Sequence, residues 1–122
     1  PAVDEAFWSR PTVAAAIAKQ YQTKQQALKA IRQQAAIPSV WSRLRTALAA
    51  QVKQPSTIKR WLRQAGGAVS VRDIGFSREQ VRSAILHMHE IRKRPTIVDL
   101  AWLTGVLPDA VDELMDRWLA GD

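Results

Sequence analysis

The sequence predicts an all-α domain of five or six helices, with a long N-terminal helix followed by shorter packed ones. Three observations carry this. Apolar residues recur at three- and four-residue spacing in every long segment. No segment alternates convincingly with period two: Ala68-Val69-Ser70-Val71 is too short and lies between Gly67 and a turn. Nearly every break falls at a proline or glycine. Residues 1–122 read as a single helical domain, with 1–36 the part least tied to the core.

The first helix is predicted over Pro11 to about Ala36. Proline suits a first helical turn, and Val13, Ile17, Tyr21, Leu28, Ile31 and Ala35 form a narrow stripe interrupted by Lys24. The other faces are rich in Gln and Lys, so this helix lies on a surface or packs on something outside the chain. Ile37-Pro38 ends it. Ser39 is expected to cap a second helix, about 40–53, with Trp41, Leu44, Leu48 and Val52 on one face. Ser56 is expected to cap a third, with Ile58, Trp61, Leu62 and Ala65 inward and Lys59, Arg60 and Arg63 outward. Gly66-Gly67 stops it.

Ser70 and Asp73 have capping-box spacing, which predicts one helical turn ended by Gly75. Ser77 and Gln80 form a second box for a fourth helix, about 78–92, with Val81, Ile85, Met88 and Ile91 or Arg92 inward. Arg94-Pro95 breaks it. Thr96 and Asp99 restart a fifth helix, about 97–104, ended by Gly105. Pro108 begins a sixth, about 108–120, with Val111, Leu114, Met115, Trp118 and Leu119 apolar.

Composition narrows the function. An apolar fraction of 47% argues against wholesale disorder. The absence of cysteine removes disulfides, zinc-thiolate sites and thiol nucleophiles. No apolar run approaches the roughly 20 residues that span a bilayer, and no signal peptide is visible, so no membrane partner is expected and a cytoplasmic location is. Net charge is +7 but uneven: +5 over residues 1–50, +7 over 51–94 and −5 over 95–122. This pattern fits either an anionic partner or two halves that attract each other.

The residues offer no catalytic, cofactor-binding or metal-binding set. Pro1 could act as a catalytic base only beside a strand, and no strand pattern follows it; methionine removal or a cut from a longer chain explains it better. His87 and His89 would diverge by about 200° on a helix and cannot chelate one metal. One is expected at the core edge and the other in solvent. Asp109, Asp112, Glu113 and Asp116 read as a solvated face suited to a helix start. Residues 96–111 imitate a helix-turn-helix, but that acidic second helix would repel phosphates. Lys53, Lys59, Arg60, Arg63, Arg72, Arg78 and Arg82 could instead track a nucleic-acid backbone, or form a solvated basic surface.

A family resemblance covers about residues 37–107. It runs through Trp41-Ser42-Arg43-Leu44-Arg45, then Leu62-Arg63-Gln64-Ala65-Gly66-Gly67, then Asp73-Ile74-Gly75-Phe76-Ser77. It continues through Ile91-Arg92-Lys93-Arg94-Pro95-Thr96-Ile97-Val98-Asp99-Leu100-Ala101 and Gly105-Val106-Leu107. In this order the segments resemble the C-terminal part of sn-glycerol-1-phosphate dehydrogenases, of the iron-containing alcohol dehydrogenase superfamily. Pro95 stands where that family usually has tyrosine, and Gly67-Ala68-Val69 where a proline-bearing turn is usual.

The resemblance implies that this chain is the C-terminal helical domain of an NAD(P)-dependent oxidoreductase acting on dihydroxyacetone phosphate or its reduced product. A missing N-terminal portion would bind NAD(P) and the zinc or nickel ion. None of that portion's motifs is present, so the chain alone is expected to be inactive. Arg92, Lys93 and Arg94 are the candidates for facing a phosphate. The alternative is a basic helical module that binds nucleic acid or protein, or one that forms a homo-oligomer through the 11–36 helix.

Overall fold

The computed structural model describes residues 2–121, and Pro1, with the idea of a proline base, lies outside them. Six α-helices and one 3₁₀ turn account for the regular structure among the described residues. They are α1 (Pro11–Ala35), α2 (Pro38–Gln51), α3 (Pro55–Gln64), the turn Arg72–Ile74, α4 (Arg78–His87), α5 (Ile97–Leu103) and α6 (Val111–Trp118). The all-α expectation therefore holds.

Two start mechanisms divide the chain. The first three helices each open on proline as the first helical residue, with no side-chain cap. This corrects the expected caps at Ser39 and Ser56. Proline has the helical φ preset and no N–H to satisfy, so it takes the first position and pushes each serine inside the helix. The later helices α4 and α5 open on reciprocal capping boxes, Ser77 with Gln80 and Thr96 with Asp99. The short turn behaves as predicted. Asp73 accepts from the backbone N–H groups of Val69 (2.8 Å) and Ser70 (2.9 Å), and Gly75 closes the turn at φ 70°.

Helix α4 ends at His87, not near residue 92. The chain leaves the helix through a tight turn at residues 88–91, where the N–H of Glu90 reaches the carbonyl of His87 (2.9 Å). That turn buries the consecutive residues His89 and Glu90 and leaves Met88 and Ile91 exposed, so the predicted inner line holds at Val81 and Ile85 and fails beyond them. Helix α6 is likewise shorter than expected; residues 107–110 form turns before it.

The apolar core consists of Leu107, Val111 and Met115, wrapped by Val71, Val81, Ile85, Leu86, Val98, Ala101, Trp102 and Leu119. Here α4 packs on α6. On the other side α1 packs on α2 and α5, burying Ala14, Ile17, Tyr21, Lys24 and Leu28. Ala14 replaces the predicted Val13, which is exposed. The true stripe steps by three and four without interruption, and Lys24 is one of its members. Because this stripe is consumed inside the chain, α1 presents mostly its Gln- and Lys-rich faces outward.

Helix α3 departs most from expectation. Ile58, Trp61 and Leu62 should point inward; they are 43%, 49% and 42% exposed. Neither α2 nor α3 contains a fully buried residue. The reason is visible in the whole surface. A compact monomer of 13.7 kDa exposes about 6,600 Å², whereas this chain exposes 8906 Å². The helices are amphipathic, but the chain does not supply enough partners for every apolar face.

Candidate functional site

Between α1, the turn after α4 and the start of α5 lies a cluster of buried polar side chains: Tyr21, Lys24, His89, Glu90 and Asp99. Each arrives for a local reason. Tyr21 and Lys24 are neighbours on the inner stripe of α1. The tight turn after His87 delivers His89 and Glu90. Asp99 is the third residue of α5, placed by its own capping box.

The central contact joins Lys24 Nζ to Asp99 Oδ1 at 2.7 Å, with both side chains closed to solvent. Lys24 also donates to the backbone carbonyl of His89 and lies 4.5 Å from the centroid of the Tyr21 ring. The second Asp99 oxygen accepts from the Thr96 N–H (2.7 Å) and the Thr96 hydroxyl (2.9 Å). One carboxylate thus caps α5 and neutralises a cation from α1.

Glu90 forms a second centre. Its Oε2 accepts from the Trp8 indole (2.7 Å) and the Asp4 N–H (3.2 Å), and its Oε1 from His87 Nδ1 (2.8 Å). Phe7 stacks on the His87 ring at 3.7 Å. The segment before α1 is therefore strapped to the turn after α4. His89 is the histidine that goes inside, and His87 is half-buried beneath Phe7.

His89 Nδ1 donates to the carbonyl of Leu86 (2.9 Å), leaving Nε2 as a buried lone pair with no partner among the described residues. The indole nitrogen of Trp102, whose ring lies 5.4 Å from that of His89, is also without a partner among them. Burial pushes the His89 pKa below its ordinary 6.5, and the charge of Lys24 adds to this; Glu90, the Leu86 carbonyl and Asp99 act against it. Burial, with Asp99 and Glu90 adding, lifts Tyr21 to about 12, so it stays a neutral phenol.

The sign of the resulting pH dependence follows. The unfolded chain takes up the His89 proton more readily than the folded chain. This contribution to stability is complete above about pH 6.5, is lost as pH falls toward the depressed folded value, and is level below it. Urea midpoints measured from about pH 8 to about pH 5 should fall in the wild type. They should fall less in His89→Gln, which carries no titrating group there. Parallel pH profiles for the two proteins would refute this.

Chemically the cluster holds the fold together. Its carboxylates are engaged and its amine is enclosed. Among the described residues no three His, Cys, Asp or Glu side chains converge as a metal site requires. No helix among them is long and apolar enough to cross a membrane.

The surface charges sort into two groups. Arg78 meets Asp116 at 2.6 Å and Asp112 at 3.1 Å, and Arg82 meets Asp112 at 3.2 Å. These bonds, Arg82 first and then Arg78, hold the Asp112 carboxyl below the usual carboxylate range. The basic and acidic parts of the chain therefore do attract each other. The acidic α6 pairs with α4 through Arg78 and Arg82. Lys53, Lys59, Arg60 and Arg72 remain on and around α3. The predicted phosphate-facing residues Arg92, Lys93 and Arg94 sit on the exposed loop between α4 and α5 and make no ion pair among the described residues.

Two open apolar grooves complete the inventory. One, of about 440 Å³, runs between α3, the 3₁₀ turn and the end of α6. The other, of about 570 Å³, lies between α1, α2 and α5 and is edged by Pro95. The spacing of apolar residues in the sequence showed the faces that line these grooves, but not that the faces stay uncovered. Lys24 looked like an interruption; its place on the stripe was the available sign that it is buried.

Comparison with known proteins finds no family model, no curated protein and no solved structure that matches this chain.

Proposed function

We propose that this chain is the helical portion of a glycerol-1-phosphate-dehydrogenase-like oxidoreductase. It closes over a companion nucleotide-binding portion and does not catalyse alone. The observation that carries this reading is the excess surface. About 2,300 Å² more is exposed than a compact monomer of this mass would show, which is the size of a permanent interface. The excess includes the apolar residues Phe76, Ile91, Ile97 and Val106, all outside the groove beside α3. Such surface is expected of a domain that folds against another.

The ordered segments of residues 37–107 give the reading its chemical class. Within the Ile-Arg-x-Arg-x-Thr stretch, Thr96 and Asp99 anchor α5 while Arg92, Lys93 and Arg94 stay on the surface, where they could meet a substrate phosphate. NAD(P) and a divalent metal, zinc or nickel, would belong to the companion. This chain has no glycine-rich nucleotide loop, and its described residues form no ligand set for the metal.

A chimera tests the reading. The chain is joined after the nucleotide-binding portion of an sn-glycerol-1-phosphate dehydrogenase, and NAD(P)H oxidation with dihydroxyacetone phosphate is followed. The chimera should turn over and the chain alone should not. Replacing Arg92, Lys93 and Arg94 by glutamine should raise KM for the phosphorylated substrate. Turnover by the chain alone would remove the claim of dependence. A soluble, monodisperse chimera without activity would remove the dehydrogenase assignment.

A further inference from the structure

The groove beside α3 has a charged rim that specifies what fills it. Its floor is formed by Val52, Ile58, Leu62, Val71, Ile74 and Leu119, and Lys53 and Lys59 stand at its edge. A smaller polar cleft of about 260 Å³ shares Lys59 and Ser70 with it and adds Arg63 and Arg72. The one carboxylate there, Asp73, already accepts from Val69 and Ser70. No acidic residue occurs between Glu5 and Asp73 in the sequence, and among the described residues no salt bridge engages Lys53, Lys59 or Arg72.

We propose that this groove is a docking site for an amphipathic helix of a partner protein, with aliphatic side chains at i, i+3, i+4 and i+7 flanked by Glu or Asp. The aliphatic anchors would cover the floor, as in other helix-in-groove interfaces. The flanking carboxylates would pair with Lys53, Lys59 and Arg72 at the rim, which sets orientation and partner choice. The proposal does not depend on the dehydrogenase reading, since it concerns this face alone.

A second copy of the chain fits poorly. Groove to groove, it would set cations against cations. Its acidic helix α6 has already turned Val111 and Met115 into the core, and Asp112 and Asp116 are held by Arg78 and Arg82. What α6 shows outward lacks an aliphatic stripe. Nucleic acid would match the cations but not the floor, which is mainly aliphatic and offers one aromatic ring, Trp118, where single strands need several platforms for stacking.

The test uses the whole chain and a fluorescent peptide with a leucine stripe and glutamate flanks, followed by anisotropy. A control peptide keeps the stripe and carries lysine flanks. The glutamate peptide should bind at least about tenfold more tightly than the control. Ile58→Asp should weaken it by about tenfold or more, with the circular dichroism spectrum unchanged because Ile58 is already exposed. Should Ile58→Asp fail to fold, the charge reversal of Lys53→Glu with Lys59→Glu decides instead, and it should invert the preference between the two peptides. Equal binding of both peptides, or no binding of either, overturns the proposal. So does a single-stranded oligonucleotide that binds more tightly than the glutamate peptide and is indifferent to Ile58→Asp. Concentration-dependent dimerisation abolished by Ile58→Asp would assign the groove to a second copy and overturn it as well.

Discussion

Asp99→Ala should destabilise the protein by about 3–5 kcal/mol, measured by urea unfolding at neutral pH. The substitution leaves the Lys24 ammonium enclosed with the His89 carbonyl and the Tyr21 ring but no counter-charge. It also removes the carboxylate that accepts from Thr96 at the start of α5. Since a domain is stable by only about 5–15 kcal/mol in all, the variant should be close to unfolding at physiological temperature. Lys24→Met together with Asp99→Leu should cost less than Asp99→Ala alone, because no charge is left buried. A double variant as damaged as the sum of its singles would show that the pair is not coupled.

Met115→Ala is the second large effect, at about 2–5 kcal/mol. Met115 is buried at the centre of the small apolar core, against residues from α4, α5 and the 3₁₀ turn. The core has few other members, so there is little to collapse into the space left behind. Leu114→Ala, one residue away on the exposed side of α6, should change stability by no more than about 0.5 kcal/mol. Similar urea midpoints for the two variants would mean that α6 does not pack as described.

The contrast between those two leucine- and methionine-bearing faces was legible in the sequence only in part. Spacing identified α6 and its apolar stripe, and the boxes at Ser77 and Thr96 marked the starts of α4 and α5 correctly. Local chemistry decides such features, so sequence carries them. The misplaced ends are different in kind. Helix α4 stops at His87 because Lys24 and Trp8, distant in sequence, bind the residues that follow. Periodicity in the segment 78–92 contains no trace of those partners. The outward face of α3 failed for the opposite reason: its stripe is real, but nothing among the described residues covers it. For the site, the sequence offered the Lys24–Asp99 pair only as two separate oddities, an interruption in one stripe and a cap on another helix.

The loop bearing Arg92, Lys93 and Arg94 is pinned at both ends by buried carboxylates, Glu90 just before it and Asp99 just after. A free arm of this length would lose much of its motion on meeting an anion. Here most of that ordering is already done when the protein folds, so any group that met this loop would have little freedom left to remove. The two buried acids thereby order a surface they never touch.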